Sequence, residues 1–195
     1  MGYTPQKKAL KKQKTASSPL DGVKSGWEQK KPVVFFVLGF VVLMILFYIF
    51  WLSDFAQEGL QKSIVHINAK LASTFLNIFG MQTKAVNEIL SSPAYSISIA
   101  RGCDAIEAMA LFASALLAFP SGWIRKIAGL LIGLLILFSL NILRIVSLFL
   151  TGIHYPKAFE FMHVEFWQVA FILFAVGLWI FWIKWSRKGG THAEK

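Results

Sequence analysis

The chain of 195 residues contains a single cysteine, Cys103, and only 15% of its residues are charged. One cysteine excludes an internal disulfide, a CxxC redox pair and a cysteine-rich zinc site, and it argues against thiol oxidoreductases that relay electrons between cysteine pairs. The sequence also lacks an H-E-x-x-H motif and any carboxylate-rich cluster, so we expect no metal site and no cofactor. Charge this scarce is not typical of a soluble domain.

Apolar residues are abundant instead: they make up 56% of the chain, and the mean hydropathy is +0.59. Four apolar segments approach the ~20 residues that a helix needs to cross ~30 Å of hydrocarbon. We therefore expect an all-α integral membrane protein with about four transmembrane helices. The predicted spans are residues 33–52, 103–119, 124–150 and 164–185.

The net charge of +10 is placed unevenly and predicts the orientation. Four crossings put both termini on one side, and the basic residues of the N-terminal tail, the Arg125–Lys126 turn and the C-terminal end then all lie in the cytoplasm. Basic tails beside a span more often contact anionic lipid than nucleic acid, so membrane lipids are expected partners and nucleic acid is not. We interpret residues 1–32 as a disordered cytoplasmic tail, 33–185 as a transmembrane domain and 186–195 as a second basic tail.

The first apolar segment is expected to be an anchor rather than a signal peptide, because it has the length of a full span and no A-x-A-like cleavage site follows. Residues 53–102 are too polar to cross and are assigned to the outer face. Within them, a helical period predicts an amphipathic helix that lies at the outer interface or caps the bundle. Its apolar positions are Leu60, Ile64, Ile67, Leu71, Phe75 and Ile78. Alternation in Ala94–Ala100 predicts a short extended segment that leads to Cys103.

Three polar residues that are distant in sequence are expected at one depth. Arg144 follows Lys126 by 144 − 126 = 18 residues, or ~27 Å at ~1.5 Å per helical residue, which places it near the outer boundary. Cys103 begins the second span at that boundary, and His163 begins the fourth there. Taken singly, each residue has an ordinary explanation. Cys103 could be a small apolar side chain in the core, Arg144 could reach toward the lipid headgroups, and His163 could be an interfacial histidine.

Together, the three residues form a set that suits acyl transfer. A thiolate is a nucleophile, and its pKa falls near a cationic group or a helix N-terminus. An imidazole moves protons to and from a leaving amine, and a guanidinium holds a developing oxyanion. His66 and His154 are expected to be interfacial and without a catalytic role.

The sequence resembles the exosortase/archaeosortase family of membrane transpeptidases. The resemblance covers about residues 96–185 and depends on Cys103 in "RGCDAIEAM", Arg144 in "NILRIVSL" and His163 in "MHVEFWQ", each at the outer end of its own helix. The short chain is most similar to the exosortase H branch. One departure is the Asp104–Ala105 pair, where many members have Ser-Gly or Asn-Gly. Asp104 would raise the pKa of Cys103 unless Arg101 or Arg144 offsets its charge.

The resemblance implies roles for particular residues: Cys103 as the nucleophile, His163 as the general acid/base, and Arg144 as the clamp for an oxyanion or substrate. Asn141, one turn before Arg144, is a candidate to orient it or the substrate. Asp104 and Glu107 are further candidates around the thiol. Glu107 and Glu165 are expected to be structural or interfacial more than functional.

The implied function is a protein-sorting transpeptidase in the cytoplasmic membrane, with its site facing outward. Its partners would be exported proteins with a C-terminal sorting signal of the PEP-CTERM or IPTL-CTERM kind, and a lipid or glycan acceptor. Two alternatives remain open: a non-catalytic scaffold linked to polysaccharide export, and a small transporter in which Arg144 binds anions. The third span has almost nothing polar inward of Ser139, which gives a transporter no evident path.

Overall fold

The computed structural model describes residues 19–99 and 102–188, with side chains from residue 30 to 187. The elements are α1 (Pro19–Trp51), α2 (Lys62–Ile78), β1 (Lys84–Val86), β2 (Ile89–Ser91), β3 (Ser96–Ser98), α3 (Ile106–Ala118), α4 (Trp123–His154) and α5 (Trp167–Lys188). One-turn π-helical segments precede α2 (Ala56–Gln61) and α5 (Phe161–Phe166), and a 3₁₀ turn, Pro156–Ala158, follows α4.

The chain divides into two compact units between Phe35 and Phe36. The described part of the first unit, residues 19–35, is the N-terminal half of α1 and therefore lies largely within the segment predicted as a tail. Residues 1–18 and 189–195, which hold most of the two predicted tails, lie outside the described residues, as does Arg101.

Three segments are long and apolar enough to cross a membrane within the described part of the chain: Lys30–Trp51, Trp123–His154 and Pro156–Arg187. They correspond to the first, third and fourth predicted spans. The second predicted span, residues 103–119, is the 13-residue helix α3. At ~1.5 Å per residue it measures ~20 Å, less than the ~30 Å of hydrocarbon. The membrane part is therefore helical as expected, with three full-length helices and one short one.

The helices α3, α4 and α5 pack through a shared apolar core in which Phe112, Leu116, Leu137, Phe171 and Trp182 are buried. Two α4 glycines permit this close approach, because a β-carbon at Gly129 would overlap Trp182 and one at Gly133 would overlap Phe112. These contacts make α4 antiparallel to both neighbours, so α3 and α5 begin at the same end of the bundle.

A second core lies where α2 and the sheet pack on the C-terminal half of α4; it includes Leu76, Leu90, Ile99, Ile145 and Phe149. The sheet is antiparallel with the order β1-β2-β3. The extended segment predicted at Ala94–Ala100 is confirmed for Ser96–Ser98, which form β3; Ala100 lies outside the described residues. The strands β1 and β2 were not predicted, because three residues each give no readable alternation.

Helix α2 packs through a face that the sequence does not identify. Its buried residues are mostly small or polar, and they are Val65, Asn68, Ala69, Ala72, Ser73 and Leu76. Most of the large apolar positions that predicted the amphipathic face are instead exposed; Ile67 is 49% and Ile78 76% exposed. The helix therefore caps α4 and the sheet with one face and presents its apolar face outward.

Candidate active site

Three elements bring Cys103, Arg144 and His163 together. Cys103 lies in the loop before α3, and His163 lies in the π-helical turn before α5. Because α3 and α5 begin at the same end of the bundle, the two side chains meet there. Arg144 lies on the antiparallel helix α4, ten residues before its last residue, His154, so it arrives at the same level from the opposite direction.

The turn before the nucleophile candidate requires glycine. Gly102 has φ +83°, a left-handed conformation that other residues adopt at a penalty of roughly 1–2 kcal/mol. This turn carries the chain from β3 into α3 and directs Cys103 toward the bundle, where its side chain is 9% exposed. The extended approach, the glycine and the start of the helix together position the thiol.

The site geometry is that of a hydrogen-bonded thiol–imidazole pair beside a guanidinium. Cys103 Sγ lies 2.9 Å from His163 Nε2. Arg144 Nη2 donates to Cys103 Sγ at 3.7 Å and to the backbone oxygen of His163 at 3.4 Å. One guanidinium nitrogen therefore contacts both the sulfur and the backbone that carries the imidazole.

Aromatic side chains hold the imidazole and the guanidinium in place. The ring of Phe159 stacks on His163, with centroids 5.8 Å apart and planes 14° apart. The guanidinium of Arg144 lies 5.6 Å from the centre of the Phe171 ring, a distance at which a cation is attracted to the ring face. Ser147 Oγ donates to the backbone oxygen of Arg144 and accepts from Trp167 Nε1, which ties α4 to the start of α5.

These supporting residues were missed by the sequence analysis. Phe159 precedes His163 by four residues, a spacing that places two side chains on one face of a helix, and this was the one available signal. Phe171 and Trp167 reach Arg144 and Ser147 through packing between helices, and no local pattern marks them.

Burial raises the pKa of the Cys103 thiol, the Arg144 charge lowers it, and the Asp104 charge raises it, with a net shift upward. Asp104 is itself 3% exposed, and its Oδ1 accepts a hydrogen bond from the Ile106 backbone N–H at 3.3 Å. The carboxylate therefore helps to start α3, a structural role that explains an acidic residue beside the thiol.

We expect Asp104→Asn to lower the pKa of Cys103, because the amide oxygen still accepts from Ile106 while the negative charge is removed. Only the thiolate is alkylated, so at any pH below the thiol pKa the variant reacts faster with iodoacetamide than wild type does. The measurement is the alkylation rate of membranes or detergent-solubilised protein against pH. Glu107→Gln should move the profile less, because that exposed charge is screened by water. An unchanged profile in Asp104→Asn would contradict this assignment.

The second departure, Ala105, adopts φ 59° and ψ 8°, the left-handed conformation that favours glycine. The glycine that the resemblance leads us to expect at this place would fit this backbone. In Ala105→Gly we expect the relief of about 1 kcal/mol of strain to offset the loss of a buried methyl group, which is worth ~0.8 kcal/mol. The apparent unfolding temperature in detergent should then hardly change.

The matched control is Ala110→Gly, since Ala110 is also buried but lies in the interior of α3. There glycine removes a methyl group and adds backbone freedom without relieving strain, so we expect a loss of about 1–2 kcal/mol. Equal destabilisation by both substitutions would show that the backbone at Ala105 is not strained.

The other predicted residues have different surroundings. Asn141 is fully buried, and neither atom of its side-chain amide has a hydrogen-bond partner among the described residues. Its suggested role beside Arg144 stays a prediction. Glu107 and Glu165 are exposed. His66 Nδ1 lies 3.3 Å from the Asn87 backbone oxygen and His154 Nδ1 lies 3.0 Å from that of Leu150, both apart from the thiol.

The site encloses little space. Its cavity of about 30 Å³ is lined by Cys103, His163, Phe159 and residues of β3 and α4, and it has room for about one water. No group of three or more His, Cys, Asp or Glu side chains in the described ranges is arranged to hold a metal ion.

The family model described as transmembrane exosortase (Exosortase_EpsH) matches residues 25–183. This range includes Cys103, Arg144 and His163, with α3, α4 and all but the last five residues of α5. It confirms the recognition made from the motifs around those three residues. No curated protein and no solved structure matches the chain.

Proposed function

The chain belongs to the transmembrane exosortase family, and we propose that it is a cysteine transpeptidase that cleaves exported proteins at a C-terminal sorting signal. The observation that supports this most is the 2.9 Å contact of Cys103 Sγ with His163 Nε2 beside the Arg144 guanidinium. Acyl transfer through a covalent intermediate uses a nucleophile, a proton carrier and an oxyanion donor, and these three side chains supply them.

The first half-reaction is acylation of the thiol. His163 takes the proton of Cys103, and the sulfur attacks the carbonyl carbon of the scissile peptide bond. Arg144 donates to the oxyanion of the tetrahedral intermediate. His163 then gives the proton to the leaving nitrogen, the C–N bond breaks, and the C-terminal tail departs while a thioester remains on Cys103.

The second half-reaction transfers the acyl group to an amine or hydroxyl of a lipid or glycan. His163 takes the proton of this acceptor as its nitrogen or oxygen attacks the thioester carbonyl. The C–S bond then breaks, and the proton returns to the sulfur. The products are the exported protein joined to the acceptor and the free thiol of Cys103, so the cycle needs no oxidant, reductant or metal.

The proposed orientation puts the site at the outer face of the cytoplasmic membrane. Arg125 and Lys126 begin α4, and Arg187 lies near the end of α5. Both positions are at the opposite end of the bundle from Cys103. Because cytoplasmic loops are enriched in lysine and arginine, this distribution favours a site that faces outward, where exported proteins arrive.

The test is to co-express the chain with a cysteine-free reporter that ends in its cognate sorting segment, in a host without an exosortase. We expect loss of the reporter's tail and a new C-terminal linkage, both read by mass spectrometry. Methyl methanethiosulfonate should stop processing in isolated membranes and dithiothreitol should restore it, since Cys103 is the only thiol in the chain. Processing that persists when mass spectrometry shows Cys103 fully capped, or no processing of the cognate reporter, would overturn the proposal.

A further inference from the structure

An apolar cleft of about 290 Å³ lies beside the site, between α3, α5 and the part of α1 from Phe36 onward. All ten residues that line it are apolar. They include Phe36 and Phe40 of α1, Ala108 and Ala115 of α3, and Ala175 and Trp179 of α5. None of them is part of the catalytic arrangement, and the cleft is separate from the small cavity at Cys103.

The cleft narrows toward the end farther from the site. There the Phe36 ring stacks on Trp179 at 5.7 Å and meets the edge of Phe119 at 6.4 Å. A β-carbon at Gly39 would lie 3.6 Å from Cβ of Ala118, so α1 and α3 approach closely at this level.

The cleft is open toward the site. On α1 the lining stops at Phe40, whereas on α3 it continues from Ala115 to Ala108, about two turns or ~10 Å farther. Over that distance the walls come from α3 and α5 alone. No described α1 residue beyond Phe40 lines the cleft, and Ile45 is 53% and Ile49 66% exposed.

The outer end of the cleft is close to the nucleophile. Ala108 lies in the first turn of α3 and follows Cys103 by five residues, which span at most ~18 Å even when fully extended. The end of a ligand in the cleft is therefore near the thiol. Small residues at Ala108, Ala115 and Ala175 let the backbone of another helix come near, as they do between transmembrane helices in general.

We propose that this cleft receives the transmembrane helix of the substrate, so that the peptide bond just before that helix reaches Cys103. The inference rests on the proposed function, since it needs a substrate whose cleavage point adjoins its own span. A lipid chain is also apolar and could pack against this lining. Only a helix that is covalently continuous with the scissile bond, however, would gain from a cleft that ends near the thiol. The cleft thus selects for a membrane-embedded sequence after the cleavage point.

The arrangement predicts a register between enzyme and substrate. A β-carbon at Gly129 would meet both Leu116 and Trp182, so these two side chains lie at one level. Leu111 precedes Leu116 by five residues and Val176 precedes Trp182 by six, so Leu111 and Val176 lie at nearly the same depth. Val176 follows His163 by thirteen residues, so both face a substrate position about thirteen residues after the cleavage point if the substrate helix descends at ~1.5 Å per residue.

Disulfide cross-linking tests this register, because Cys103→Ala leaves the chain without any cysteine. Leu111→Cys or Val176→Cys is placed in that background and co-expressed with reporters that carry single cysteines along the sorting segment. The matched control is Leu135→Cys, since Leu135 is 66% exposed and lies on α4 nine residues before Arg144, at nearly the depth of Leu111. Oxidation of the membranes is followed by non-reducing electrophoresis.

We expect Leu111→Cys and Val176→Cys to cross-link best with the same stretch of the reporter, near position thirteen, each at least about fivefold above Leu135→Cys. Cross-linking equal to that control, or none, would overturn the cleft proposal, and lipid-only occupancy gives this same result. The measurement does not use catalysis, so it separates the two proposals. Register-specific cross-links with a reporter that wild type never cleaves would keep the cleft and overturn the transpeptidase function.

Discussion

Replacing Cys103 by alanine is expected to abolish tail release from the reporter, a loss of at least about 10³-fold in rate. The substitution removes the only thiol in the chain and leaves His163 Nε2 without the sulfur that lies 2.9 Å from it. Cys103→Ser puts a hydroxyl in the place of the thiol, but an alcohol is much less acidic than a thiol. We therefore expect serine to be slower than wild type by at least about 10²-fold.

The control for Cys103→Ala is Ser139→Ala, which also removes one heavy atom. Ser139 is exposed on α4, and its hydroxyl bonds only to the Leu135 backbone oxygen among the described residues. This variant should process the reporter within about twofold of wild type, since exposed substitutions have small effects. If Cys103→Ala processed the reporter as well as Ser139→Ala does, the nucleophile assignment would be wrong and the scaffold alternative would be favoured.

The meeting of Cys103, Arg144 and His163 was predictable because it depends on quantities that a sequence contains. The length of an apolar run and the rise per residue give the depth of each residue, and the basic residues give the direction of each helix. These suffice to put three residues at one level. They do not say that the residues face one another, and the 2.9 Å and 3.7 Å contacts at the sulfur come from the packing of α3 and α5 against α4.

The supporting contacts could not be predicted for the same reason. Phe171 under the guanidinium and the Trp167–Ser147 bond each join residues of two helices, so they depend on helix rotation, which periodicity in an almost wholly apolar segment does not encode. The left-handed backbone conformation of Ala105 could not be predicted from the residue type, because alanine normally favours helix. Comparison with the Gly found there in many exosortases was the available signal.

Helix α2 shows that a strong helical period does not determine what an apolar face contacts. Its large apolar positions have a clear helical period, and the usual inference is that they face the protein core. In the structure the small face containing Ala69 and Ala72 is buried, while Phe75 is 42% exposed. In a membrane protein an apolar face has two apolar environments available, protein and lipid, so periodicity alone does not decide between them.

Replacing Arg144 by lysine is expected to lower processing by about 10²-fold, although the positive charge is kept. One guanidinium nitrogen contacts both Cys103 Sγ and the His163 backbone oxygen, and the planar group lies over Phe171. An ammonium has a different reach and shape and does not reproduce this fixed geometry. Arg144→Gln also loses the charge, so we expect a loss of about 10²–10³-fold, the range found when one oxyanion donor is removed.

The two Arg144 variants separate charge from geometry through a second measurement. Because the Arg144 charge lowers the pKa of Cys103, Arg144→Gln should need a higher pH for thiol alkylation, while Arg144→Lys should stay closer to wild type. Arg125→Lys, at the other end of α4, is the matched control and should process normally. An Arg144→Gln variant that folds and processes within tenfold of wild type would contradict the oxyanion role. A lysine variant with normal processing would show that the charge alone is required, and that the contacts to Cys103 and His163 are structural.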